Sequence, residues 1–131
     1  MKHYEVVCAL IENKEGKIFC CKRGPGRALE GYWEFPGGKV QANETHEETI
    51  EREIREELKT NIEPLEYLGK SDYTYPDMPP YQGFSITLYG YRCKWISGDL
   101  VLTEHTAKMW ATIDEMKEMN FAGADLFFIH K

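Results

Sequence analysis

Gly37-Gly38-Lys39-Val40-Gln41-Ala42-Asn43-Glu44-Thr45-His46-Glu47-Glu48-Thr49-Ile50-Glu51-Arg52-Glu53-Ile54-Arg55-Glu56-Glu57-Leu58 reads as a loop that feeds a helix. Thr45 followed three residues later by Glu48 forms a capping box, in which hydroxyl and carboxylate each satisfy a backbone donor left over at a helix start. The helix is therefore predicted to begin near His46. Ile50, Ile54 and Leu58 recur at a spacing of four and make one apolar stripe that can pack on a sheet. Beside that stripe Glu53, Glu56 and Glu57 crowd one arc of the helix, where like charges cost about 0.2–0.5 kcal/mol per pair. A hard divalent cation with oxygen ligands would neutralise them. The alternative is a solvated acidic face.

The spacing extends upstream of the helix. From Gly38 to Leu58 the chain resembles the Nudix box, whose pattern is Gly, five residues, Glu, seven residues, Arg-Glu, two residues, Glu-Glu, one residue, then Gly. Gly38, Glu44, Arg52, Glu53, Glu56 and Glu57 all fall on it. The departure is at the end, where Lys59 stands in place of Gly and Thr60 in place of an aliphatic residue. Both follow the acidic cluster, where Gly normally supplies a left-handed helix cap, so a poorer cap with intact chemistry is expected.

A chain of 131 residues can bury about two thirds of its unfolded surface without disulfides or metals, and it is expected to form one domain over residues 1–131. With 42% hydrophobic and 29% charged residues it has an ordinary globular composition, without repeats or low-complexity tracts. The start, Met1-Lys2-His3-Tyr4, has no apolar signal region, and no run is long enough to span a membrane, so a cytoplasmic protein without a membrane partner is expected. Cys8, Cys20, Cys21 and Cys93 show no C-x-x-C spacing and are expected to be reduced core residues. The net charge of −6 argues against a long nucleic acid as partner, but not against a small polyphosphate carried by metal ions and a few local cations.

Outside the box, Val6 to Ile11 is a continuous apolar run, the mark of a strand covered on both faces. Asn13-Lys14-Glu15-Gly16 turns the chain and Ile18 to Lys22 returns as a second strand. Gly24 to Gly31 is a flexible connection, and Trp33-Glu34-Phe35-Pro36 leads into the glycine pair. Two adjacent glycines permit positive φ and could bring a carbonyl of Gly37 or Gly38 to a metal. Ile62 to Tyr75 is expected to be a strand with an irregular start, and the prolines of Tyr75 to Tyr81 make a loop. Phe84, Ile86 and Leu88 alternate with polar residues in a strand continuing toward Trp95, before a turn at Ser97-Gly98-Asp99. Met109 to Ala111 reads as a short strand. Thr112 with Glu115 is a second capping box, opening a helix toward Met119, and a short terminal helix follows.

The resemblance extends over nearly the whole chain to the MutT and CTP pyrophosphohydrolase members of the family. It implies an α/β fold, the Nudix α/β/α sandwich around a central mixed sheet. It also implies metal-assisted hydrolysis of a nucleoside triphosphate, with Mg²⁺, or Mn²⁺, held by Glu53, Glu56, Glu57 and a Gly37 or Gly38 carbonyl, and with Arg52 orienting the glutamates. Glu104 matches a loop glutamate that binds metal or acts as base in MutT-type members, and a solvated loop carboxylate is the alternative. Arg23 matches a phosphate contact, and Lys39 could meet a phosphate as a point charge. Phe35 either flanks the base or fills the core. Asp125 either reads the base edge or caps the terminal helix. The expected partner is a small-molecule nucleotide, and the chain is expected as a monomer or homodimer. Rival functions are hydrolysis of ADP-ribose or a dinucleoside polyphosphate, and nucleotide binding without catalysis.

Overall fold

The computed structural model describes residues 1–130. Its centre is the predicted apolar strand, β1 (Lys2–Glu12), which runs parallel to β6 (Phe84–Gly98) from Lys2↔Phe84 to Glu12↔Lys94. β5 (Thr60–Tyr75) pairs antiparallel with β6 through three register shifts, the first between Asn61 and Ile62, as the irregular start of that segment implies. β2 (Ile18–Arg23) returns antiparallel to β1 through Glu12↔Ile18. β2 then pairs with β7 (His105–Ala111) and with the two-residue β3 (Trp33–Glu34), while β1 takes β4 (Gly37–Lys39) as its partner at Val6 to Cys8. The sheet is mixed, and β1 and β2 part company after a single residue pair.

Alternate residues of β1 enter different cores, which accounts for its unbroken apolar run. Val7, Ala9 and Ile11 pack with Ile50, Ile54 and Leu58 of α1 (His46–Leu58). Cys8 and Leu10 face the other way, onto Met116 of α2 (Ile113–Met116), onto Ala124, and onto Phe128 and Ile129 of α3 (Leu126–Ile129). Helices on both faces make the expected α/β/α sandwich. The three stripe residues of α1 are 0% exposed, and burying each is worth about 1.5–3 kcal/mol. No helix among the described residues is long and apolar enough to cross a membrane.

Both capping boxes form: Glu48 N donates to Thr45 Oγ1 at 3.1 Å and Thr45 N to Glu48 Oε1 at 2.9 Å, with Thr112 and Glu115 doing the same. The second helix ends at Met116, short of Met119. Lys59 takes the left-handed cap position itself, with φ 54° and its N–H on Arg55 O. All four cysteines are free and buried. β6 runs through the predicted turn as far as Gly98, because Gly98 pairs with Thr60.

The glycine pair corrects a sequence expectation. Neither Gly37 nor Gly38 has positive φ; both lie in β4. Their absent side chains serve close approach instead. A Cβ on Gly37 would stand 1.9 Å from Val7 O, and one on Gly38 would stand 2.4 Å from Glu53 Cδ. Glycine here lets β4 lie between β1 and α1.

Candidate active site

Where β1 and β2 separate, a cavity of about 470 Å³ opens, within the size range of small-ligand pockets. Glu53, Glu57 and Glu104 line one part of it, together with Gly37 and Gly38; Arg23, Arg27, Glu34, Phe35, His105 and Asp125 also line it.

The acidic end is assembled from helix and loop. Arg52 Nε and Nη2 donate to the two oxygens of Glu44, at 2.7 and 3.0 Å, and Nη1 donates to Glu53 at 3.0 Å and Glu56 at 3.2 Å. Thr49 Oγ1 adds a third bond to Glu44. One guanidinium thus fixes the rotamers of three box glutamates, and the carboxylates around it raise its own pKa further. The loop after β6 is tied to the end of α1, where helix carbonyls lack internal donors. Val101 N donates to Leu58 O and Thr103 Oγ1 to Glu57 O. That docking delivers Glu104 to the glutamate cluster.

The Glu57 carboxyl is pushed up to about 9, first by burial and then by the hydrogen bond and charge of Glu53, with Glu104 and Glu34 adding to the effect. A cation placed among these carboxyl groups would relieve that repulsion and favour the charged form of Glu57. A set of oxygen-only donors carrying more negative charge than the one Arg52 guanidinium offsets, packed against β4, fits a hard divalent cation.

A second group occupies the neighbouring wall. Glu34 accepts from Arg23 Nη1 at 3.2 Å and bonds His105 Nε2 at 2.8 Å, so it stands between a guanidinium and an imidazole. Cys21, Glu34 and His105 each offer a ligand atom within 4.8 Å of the others. Burial lifts the Cys21 thiol well above its usual range, and the Glu34 carboxylate adds to this, so this mixed set suits a hard cation less than the glutamates do. Deeper still, Phe35 N donates to Asp125 Oδ2 at 2.9 Å. Burial and the charge of Glu34 hold the Asp125 carboxyl well above the ordinary carboxylate range.

The NUDIX domain profile matches residues 1–128 of the chain. The chain belongs to the Nudix family. Among its Nudix relatives, the CTP pyrophosphohydrolase of Escherichia coli is 33% identical over 126 residues, 96% of this chain and 88% of that one. The 8-oxo-dGTP diphosphatase of Buchnera aphidicola is 30% identical over 130 residues, 99% and 93% of the two chains. In fold, the crystal structure of the MutT protein of Methanosarcina mazei superposes with a TM-score of 0.82 at 22% identity, covering 98% of this chain and 91% of that one.

Not every residue expected at a Nudix centre faces the cavity. Glu56 is 61% exposed and lies against Arg52 outside the cavity lining. Lys39 lines the cavity, but its Nζ sits 4.1 Å from the centroid of the Tyr4 ring. Arg23 is engaged by Glu34 and by Ala28 O, the latter at 2.7 Å. Phe35 is both a core residue, packed 5.2 Å from the Phe121 ring, and part of the cavity wall. Asp125 makes no side-chain cap bond at α3, so the capping alternative is corrected: its carboxylate serves Phe35 N instead. Glu34, His105 and Arg27 carried no sequence signal, since Glu34 and His105 meet across 71 residues.

Proposed function

We propose that the chain hydrolyses a nucleoside triphosphate to a nucleoside monophosphate and pyrophosphate, with Mg²⁺, or Mn²⁺, as cofactor. The observation that carries this reading is the gathering of Glu53, Glu57 and Glu104 at one end of a cavity of small-ligand size, where burial and Glu53 push the Glu57 carboxyl up to about 9. A divalent cation bound there offsets phosphate charge and makes water a better nucleophile near neutral pH. Glu53, Glu56, Glu57 and a Gly37 or Gly38 carbonyl are its proposed ligands, with Glu56 turning in from Arg52. Arg52 holds the glutamates in place through Glu44, acting through them and not on the substrate. Glu104, at the same end, accepts a proton from the attacking water. Arg23 and Lys39 meet the phosphates, while Phe35 and Asp125 face the base.

Two relatives that align over nearly the full chain are named for CTP and 8-oxo-dGTP, and this supports a base with donors on its edge. A cytoplasmic enzyme of one domain, acting on the nucleotide pool, is the setting that fits. The test is a panel of CTP, dCTP, dGTP, 8-oxo-dGTP, UTP, ADP-ribose and a dinucleoside polyphosphate with Mg²⁺, read by product identity. A monophosphate and pyrophosphate from one or more triphosphates is the expected result. Cleavage of ADP-ribose or the dinucleotide alone, or no product from any of them, overturns the reading.

A further inference from the structure

Two arginines and a lysine line the cavity, and they differ in what already neutralises them. Arg23 is paired with Glu34, and the Lys39 ammonium lies over the Tyr4 ring. Arg27 forms no ion pair among the described residues, and its Nη1 is buried with no hydrogen-bond partner there. A guanidinium cannot shed its proton to escape burial, so a desolvated N–H of this kind disfavours the unliganded fold.

The chain on either side of Arg27 is pinned. Arg23 N donates to Tyr32 O, Gly31 N to Arg23 O and Tyr32 N to Leu29 O, while Arg23 Nε holds Ala28 O. A loop closed by four hydrogen bonds holds Arg27 at the cavity wall before any ligand arrives, which lowers the ordering cost of binding. What the side chain lacks is an anion. A neutral base edge could accept its hydrogen bonds but would leave its charge uncompensated. A phosphate supplies both, in the two-pronged geometry that suits a planar guanidinium.

We propose that Arg27 binds a phosphate of the nucleotide, as the one arginine of the cavity whose charge is not shared with a carboxylate among the described residues. The inference rests on the nucleotide reading above, but not on hydrolysis. It is tested by calorimetry in metal-free buffer with CTP, CMP and cytidine, on wild type, Arg27→Gln and Arg27→Lys, alongside thermal melts of the unliganded proteins. Arg27→Gln is expected to weaken CTP binding about 10- to 100-fold, the range of a lost charged hydrogen bond, and to leave cytidine unchanged. Arg27→Lys should fall between the two, because charge is kept and the fork is lost. The melting temperature of Arg27→Gln should not fall, since no ion-pair partner among the described residues is lost. Unchanged CTP affinity overturns the proposal, as does equal loss for CTP and cytidine, a lowered melting temperature with equal loss for every ligand, or a wild type that binds no phosphate-bearing ligand. Should Arg27→Gln weaken CTP binding while the nucleotide panel yields no product, Arg27 stands and the hydrolase reading falls. The reverse pattern sinks Arg27 alone.

Discussion

A Cβ on Gly38 would lie 2.4 Å from Cδ of Glu53, so the β4 backbone is in contact with a box carboxylate. Gly38→Ala must therefore displace Glu53 or push β4 away from α1. Because Glu53 also accepts from Arg52 Nη1, its displacement disturbs the whole cluster. We expect nucleotide hydrolysis to fall at least about 10-fold, in line with other losses of groups that orient metal ligands. Steady-state kinetics of Gly38→Ala across a Mg²⁺ series measures this, and an unchanged Mg²⁺ requirement with unchanged kcat would show that Glu53 has room to spare.

Glu57 presents a different case, because its half-buried carboxyl is pushed up to about 9 when no cation is present, which favours the neutral acid at neutral pH. Replacing a neutral acid by a neutral amide changes little in the unliganded fold, so Glu57→Gln should keep its melting temperature in EDTA. With Mg²⁺ the amide cannot supply the negative charge, and kcat should drop about 10²-fold or more, as for a positioned catalytic group. Activity within a few-fold of wild type would remove Glu57 from the centre.

The helix that carries both glutamates was legible in detail. Its start follows from Thr45 and Glu48, and its buried face from Ile50, Ile54 and Leu58, all signals confined to one turn or two. β3 and β4 were not legible, since two or three residues leave no periodicity to read. The Gly37-Gly38 pair was recognised for the wrong reason: a sequence shows that a Cβ is missing, but not whether φ or a neighbouring strand requires it. Glu34 meets Arg23 across 11 residues and His105 across 71, and such partners are set by strand pairing alone. Asp125 looked like a helix cap because Gly123-Ala124-Asp125 precedes a helix, yet its oxygen was taken by Phe35 N, 90 residues away.

Lys59 is the place where stability and chemistry separate. It holds φ 54° at the cap of α1, a conformation that costs a side-chain-bearing residue about 1–2 kcal/mol. Lys59→Gly relieves that strain while loosening the unfolded chain, so we expect a net gain of about 1 kcal/mol or less, a rise of a few degrees in melting temperature. Because Lys59 is exposed and is not one of the residues lining the cavity, kcat/KM should not change. A lower melting temperature would mean that Lys59 contributes through contacts rather than through its backbone.

Glu104 reaches the glutamates only through the loop held by Thr103 and Val101. If it accepts the proton of the attacking water, Glu104→Gln lowers kcat about 10²-fold or more and removes the acid limb of the pH–rate profile at saturating Mg²⁺. The fold should survive, since the carboxylate is exposed. A profile of unaltered shape, with kcat near wild type, would return Glu104 to the solvent.

Asp125 links stability to base choice. Its side chain is buried at the cavity wall and its carboxyl is held well above the ordinary carboxylate range, chiefly by that burial. The folded protein therefore binds a proton that the unfolded chain releases near pH 4, so this group's contribution to stability is full below that pH and is lost as pH rises through the folded value. Asp125→Asn keeps an acceptor for Phe35 N and cannot ionise, so its melting temperature should equal or exceed wild type at pH 8 and lose that advantage by about pH 4. A protonated Asp125 also offers one O–H donor beside its acceptors, where an ionised one could only accept. With Oδ2 committed to Phe35 N, the other oxygen of this cavity-lining residue is the one left to meet a ligand, as donor or acceptor, whereas Asn would present an amide with two donors there. We expect Asp125→Asn to change the ranking of CTP, dGTP, 8-oxo-dGTP and UTP by kcat/KM, at the expense of bases whose edge offers an amine. An unchanged ranking with the altered pH–stability curve would confine Asp125 to supporting Phe35, and base choice would then lie with other residues of the cavity wall.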